Sequence, residues 1–110
     1  IARDDLPADW AQNDDPWVAY LDADLLRSGL AVRPRRAGDC FAPLGLVHRL
    51  KVHEFMINCK IPRHERDTAP LLVCGDEIVW VVGYRLDARY AITERTRRAL
   101  VVRVERVDAC

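Results

Sequence analysis

The sequence predicts an α+β domain that is mainly β, with one main helix and a short second helix, and three observations carry that prediction. Runs rich in β-branched and aromatic residues stand near both ends of the chain. A single apolar stripe of helical period lies between them, in a central block that also holds most of the prolines. Near the last third, Gly75-Asp76 separates two apolar runs as a two-residue hairpin turn with glycine first.

Taken in order, residues 1–15 (IARDDLPADWAQNDD) are acidic, contain a proline and keep no period, which predicts a linker or arm, with Trp10 docking on the core. The domain proper is expected over residues 16–110. Trp17 to Asp22 reads as a strand and Leu30 to Arg33 as a second, ended by Pro34, which has no N–H for a ladder. Ala37-Gly38-Asp39 turns the chain, and Pro43, Leu44 and Gly45 keep it in a compact loop. Val52, Phe55, Met56 and Cys59 recur at i, i+3, i+4 and i+7, so they form the buried stripe of the helix. Arg49, His53 and Lys60 flank that stripe as a basic rim. Pro62 is expected to end this helix and to open a short second turn over RHERD.

The last third is expected to be a β-meander: Leu71 to Cys74, the glycine turn, Glu77 to Val82, then a strand over Ala99 to Val107 in which Leu100, Val102 and Val104 alternate with Val101, Arg103 and Glu105. Gly83 marks a bulge or a close backbone approach. Thr93 to Arg98 is a polar turn whose three arginines either extend a basic surface or are simply solvated.

Length and composition bound the function. At 110 residues, half of them hydrophobic, there is room for one core and not for a cofactor-binding sheet plus a substrate domain. No apolar run approaches the ~18 residues of a membrane span and no signal-peptide pattern leads the chain, so a soluble, cytoplasmic domain with no membrane partner is expected. A start at Ile1 rather than Met predicts a piece of something longer.

The formal net charge is zero, but its distribution is uneven. Residues 1–26 hold one basic residue, Arg3, against seven acids, whereas residues 27–66 hold nine basic residues against three acids. Such a block is either directed at an anionic partner or is a solvated face neutralised by the acidic arm.

Catalytic and metal chemistry find little support. There is no G-x-x-x-x-G-K-[ST] loop and no G-x-G-x-x-G after a strand, and Ser28, the single serine, has no nucleophile-elbow context. Cys40, His48, His53 and Cys59 keep no metal-ligand spacing, and a zinc or thiol enzyme would need bound metal or a reactive thiolate. Cys59 and Cys74 lie in apolar patterns and are expected to be buried. No catalytic, cofactor-binding or metal residue is therefore assigned.

Three segments in one order carry a resemblance: R-P-R-R-A-G-D-C-F-A-P-L-G, then K-V-H-E-F-M-I-N-C-K-I-P-R-H-E-R-D-T-A-P-L-L-V, then G-D-E-I-V-W-V-V-G-Y-R-L-D-A-R-Y. Over about Trp17 to Val104 the chain resembles the C-terminal domain of bacterial tRNA(Ile)-lysidine synthetase. The resemblance implies a β-sandwich-like domain of unusual topology, similar to one in the β chain of phenylalanyl-tRNA synthetase. It also implies a parent ligase that uses ATP, with Mg, to join lysine to the wobble cytidine of the CAU-anticodon isoleucine tRNA. That catalysis belongs to an N-terminal domain with an S-G-G-x-D-S loop, which is absent here. What remains is the end that engages the tRNA(Ile) acceptor stem, with no cofactor of its own. The implied partners are tRNA(Ile), the parent's N-terminal catalytic domain, and a second copy if the parent forms a homodimer.

Residue by residue, the R-x-R-x-G-D segment stands as Arg33, Arg35, Gly38 and Asp39. The basic loop before the helix is reduced to Arg49 and Lys51, and the K-[VI]-P-R-x-x-R-D motif is intact from Lys60 to Asp67. Two positions depart: Cys40 replaces a common arginine and His48 a common glycine. Arginine's planar fork suits phosphate, and an A-form stem is read through phosphates, 2′-hydroxyls and shape. The expected nucleic-acid-binding residues are Arg33, Arg35, Arg36, Arg49, Lys51, Lys60, Arg63 and Arg66. For each, the bland counterpart is a surface salt bridge with Asp39, Glu65 or Asp67, worth less than ~1 kcal/mol; Asp39 and Asp67 are expected to fix neighbouring loops. The rival from another class is a protein-docking module, whose basic block meets the parent's catalytic domain and touches RNA little.

Overall fold

The computed structural model describes residues 1, 6, 7, 10, 15–45 and 48–105. Among these run β1 (Val18–Asp22), β2 (Leu30–Arg33), β3 (Cys40–Phe41), β4 (Leu50–Lys51), α1 (Val52–Asn58), α2 (Arg63–Arg66), β5 (Leu71–Cys74), β6 (Glu77–Val81), β7 (Arg85–Leu86) and β8 (Ala99–Arg103). The chain is thus α+β and mainly β, as expected. Its centre is the antiparallel sheet β2-β5-β6-β7. β5 and β6 read as continuous apolar runs because both of their faces are covered.

Each face has its own core. On one, Leu71, Val73, Ile78 and Val81 pack under α1 and β3, where Phe41 and Phe55 meet edge to face at 5.0 Å. On the other, Leu72, Cys74, Val79, Trp80 and Val82 pack under the β1–β8 pair through Ala19 and Leu21. A β-bulge makes this possible: Leu72 pairs with Trp80 and Val73 with Ile78, so Val79 is the extra residue and joins Trp80 on the same face.

The final strand corrects the meander. β8 does not follow β7 into the central sheet but crosses to β1, pairing from Val18↔Arg103 to Asp22↔Ala99. The reason is burial, since Leu100, Val102 and Val104 supply the apolar cover that the second face needs. The buried Thr96 hydroxyl donates to Asp22 Oδ2 at 3.0 Å and accepts from the Thr93 N–H at 2.9 Å, fixing the approach to β8. β8 ends at Arg103; Val107, like Cys110, lies outside the described residues.

The end of α1 corrects two further expectations. The helix stops at Asn58 through a Schellman turn, well before Pro62: the Lys60 N–H donates to Ile57 O and the Ile61 N–H to Met56 O, at 2.9 and 3.0 Å. Lys60 takes φ +58, the left-handed conformation that usually falls to glycine. Ile61 swings into the core against Met56, occupying the place that the stripe assigns to Cys59. Cys59 is consequently exposed, whereas Cys74 is buried as expected. Pro62 caps α2 from the position before its first turn.

Gly83, at φ +85, is a close approach: a Cβ there would lie 3.2 Å from the Trp17 ring. The expected arm over residues 1–15 falls largely outside the described residues, although Trp10 is half-buried and lines a cleft with Tyr20, Leu44 and Ile92.

Candidate nucleic-acid interface

The loop after β2 is built around one carboxylate. Asp39 accepts Arg33 Nη1 at 2.8 Å and Nη2 at 3.1 Å, and the Arg36 N–H at 2.7 Å, which closes the turn over Gly38 (φ +87). The Arg33 fork holds the Asp39 carboxyl below its usual range, against the opposing pull of burial, and Asp39 in turn raises Arg33. With 14% of its side chain exposed, Arg33 holds the loop and presents little charge to solvent. Asp39 also anchors the loop to the helix, because its carbonyl accepts the Val52 N–H at 2.9 Å.

A second tie runs to α2. Arg35 Nη2 reaches Asp67 Oδ1 at 2.8 Å, joining the β2 loop to the end of the second helix. Arg66 Nε donates to Ile61 O at 2.9 Å and steadies the connection between the two helices. Antiparallel pairing of Cys40 with Lys51 brings β4 beside the same loop. Segments 33–39, 50–51 and 63–67 are thereby assembled side by side, while Lys60 stands at the other end of α1, ~10 Å along its axis from Lys51.

The eight expected cations therefore divide. Arg33, Arg35 and Arg66 have protein acceptors. Arg36, Arg49, Lys51, Lys60 and Arg63 are exposed and have no side-chain hydrogen bond or ion pair among the described residues. Five exposed positive charges without partners among the described residues are suited to a polyanion.

One polar network escaped the sequence analysis. Asp87 is fully buried, yet its carboxylate accepts the N–H groups of Ala42 at 3.0 Å and Arg89 at 2.8 Å, and Arg89 Nε and Nη2 at 3.0 Å each. Burial pushes the Asp87 carboxyl up, but the Arg89 guanidinium and the two N–H groups outweigh it and hold the group below its ordinary value. Arg89 also pairs with Glu77, and the Tyr90 hydroxyl donates to Glu77 Oε2 at 3.3 Å. The cluster clamps β3, β6 and the turn after β7 together. Its signal lay in the D-A-R-Y run, where an aspartate opens a short 3-10 turn and the arginine two places on folds back to it.

No group of three or more His, Cys, Asp or Glu side chains suited to a metal ion occurs among the described residues. No described helix is long and apolar enough to cross a membrane.

Comparison with known proteins adds three findings. The family model described as the TilS substrate C-terminal domain matches residues 30–104. The tRNA(Ile)-lysidine synthase of Dehalococcoides mccartyi (strain CBDB1) is 49% identical over 85 residues, covering 77% of this chain and 18% of that protein. That of Caldanaerobacter subterraneus subsp. tengcongensis is 41% identical over 90 residues, covering 82% and 19%. The chain thus spans about a fifth of the length of the curated relatives it matches. A solved structure, a crystal structure of a TILS C-terminal domain, superposes with a TM-score of 0.71 at 30% identity, covering 83% of this chain and 71% of that one.

Proposed function

The chain belongs to the TilS substrate C-terminal domain family, and on that premise we propose that it is the tRNA-recognition domain of a tRNA(Ile)-lysidine synthase, engaging the acceptor stem of tRNA(Ile). The observation that carries this reading is the set of five exposed cations, Arg36, Arg49, Lys51, Lys60 and Arg63, without acceptors among the described residues. Arg36, Lys51 and Arg63 stand on the segments tied together through Asp39 and Asp67, Arg49 directly before β4 and Lys60 at the far end of α1. Phosphates supply the missing acceptors. Arg33, Arg35 and Arg66 act as positioning residues that hold those segments in register.

In this reading the ATP-dependent ligation of lysine to the wobble cytidine, with its Mg, takes place in the remainder of a cytoplasmic enzyme. The chain here contributes affinity and selection of the correct tRNA. Its partners are tRNA(Ile) and the catalytic domain that shares the same bound RNA.

The test is anisotropy of labelled tRNA(Ile) and of an acceptor-stem minihelix with this 110-residue chain across a salt series. Comparable binding to both, weakening steeply with salt, is expected. Absence of binding by the folded chain would transfer the basic block to protein docking.

A further inference from the structure

Two large aromatic side chains remain open to solvent beside the basic segment: Trp17, 48% exposed, and Tyr84, 43% exposed. Both line one cleft of about 320 Å³, with a floor that includes Ile61, Ala69 and Pro70, and with Glu65 and Thr68 at its polar edge. Both residues are fixed through their backbones. Trp17 is held through its N–H to Asp15 Oδ1 at 2.9 Å and its carbonyl to the Val104 N–H at 2.9 Å, and its indole lies against the bare backbone of Gly83. Tyr84 follows directly and its N–H donates to Val81 O at 2.9 Å.

The cleft is continuous with the candidate interface. Ile61 and Glu65 belong to the K-I-P-R-H-E-R segment, and three cations neighbour the cleft's lining residues: Lys60 precedes Ile61, Arg66 has its Nε on the Ile61 carbonyl, and Arg85 follows Tyr84. At the polar edge, the Glu65 carboxylate, 55% exposed, repels phosphate but accepts from the N–H groups of a base. Apolar side chains with exposed aromatic faces, an acceptor at the edge and cations on residues neighbouring the lining match a nucleobase with its phosphates outside. A duplex cannot offer that, because its bases are already stacked.

Resting on the reading above, we propose that this cleft takes one unpaired nucleotide of the bound RNA, its base stacked on Trp17 and Tyr84. The domain then reads the junction between a stem and a single strand, in addition to the stem itself.

The test compares two RNA hairpins with identical stems, one blunt and one with a four-nucleotide 3′ overhang, against the chain and its Tyr84→Ala and Tyr84→Phe variants, each checked for folding by thermal melting. Wild type is expected to bind the overhang hairpin roughly tenfold more tightly. Tyr84→Ala should abolish that preference while leaving blunt-hairpin affinity within about twofold, and Tyr84→Phe should retain it. Equal affinity of wild type for both hairpins, or a preference that survives Tyr84→Ala, overturns the stacking site and leaves stem binding standing. Failure of the folded chain to bind either hairpin overturns both.

Discussion

Replacing Lys60 by glycine separates what this residue costs the fold from what it gives the surface. At φ +58 a side chain costs about 1 kcal/mol, and the Schellman hydrogen bonds to Met56 and Ile57 hold the backbone there regardless. Glycine removes that cost but adds freedom to the unfolded chain, returning about 0.5 kcal/mol. The net gain of about 0.5 kcal/mol corresponds to a rise of ~2–4 °C in Tm for a domain of this size. Alanine keeps the left-handed cost and should give no such rise. Both variants lose the same charge, so each should bind the acceptor-stem minihelix more weakly and lower the slope of log K against log salt by about one. Thermal melts and salt-series anisotropy on the three proteins decide the matter. A lower Tm for Lys60→Gly than for Lys60→Ala would refute the strain argument, and an unchanged salt slope in both variants would remove Lys60 from the RNA surface.

Asp87→Ala strips the buried Ala42 N–H of its acceptor and leaves Arg89 with Glu77 as its one carboxylate, so urea denaturation should show a loss of about 3 kcal/mol, with Arg89 partly rescued by Glu77 and solvent. Asp39 and Asp87 both titrate below their unfolded values, so the unfolded chain binds more protons in that window; stability should be level from neutral pH to about 5 and fall below about 4. Urea midpoints of wild type and Asp87→Asn across this range should show a shallower acid fall in the variant. Asp67→Asn releases Arg35 from a pair whose aspartate is 79% exposed, so stability should change by less than ~0.5 kcal/mol while anisotropy reports weaker RNA binding, because the β2 loop and α2 lose their tie. Gly83→Ala meets both a positive φ and the Trp17 ring, and should cost about 2 kcal/mol in urea and shift tryptophan emission as the indole is displaced.

The parts of this fold that were legible in the sequence are those fixed by neighbours along the chain. The stripe Val52, Phe55, Met56 declares α1, and Gly75 between two apolar runs declares the β5–β6 hairpin. Periodicity failed where the backbone leaves the period. Cys59 continues the stripe on paper, but the left-handed Lys60 turns the chain and Ile61 takes the core position instead. The β1–β8 pair was illegible for a different reason: alternation states that a strand has an apolar face, not which sheet that face covers.

The interface divides along the same line. Composition identifies a basic block, and charge density alone treats all eight of its expected cations as equivalent. Partner geometry separates them, because an arginine that reaches a carboxylate 32 residues away, as Arg35 reaches Asp67, is spent on joining two segments. Arg36, on the same loop, engages Asp39 through its backbone alone, its N–H donating to the carboxylate and its carbonyl accepting the Asp39 N–H, and its guanidinium remains available. The two acids of the R-x-R-x-G-D and K-[VI]-P-R-x-x-R-D segments thus brace the surface, Asp39 from within and Asp67 from its exposed side. Their removal should alter where the free cations point before it alters how many there are.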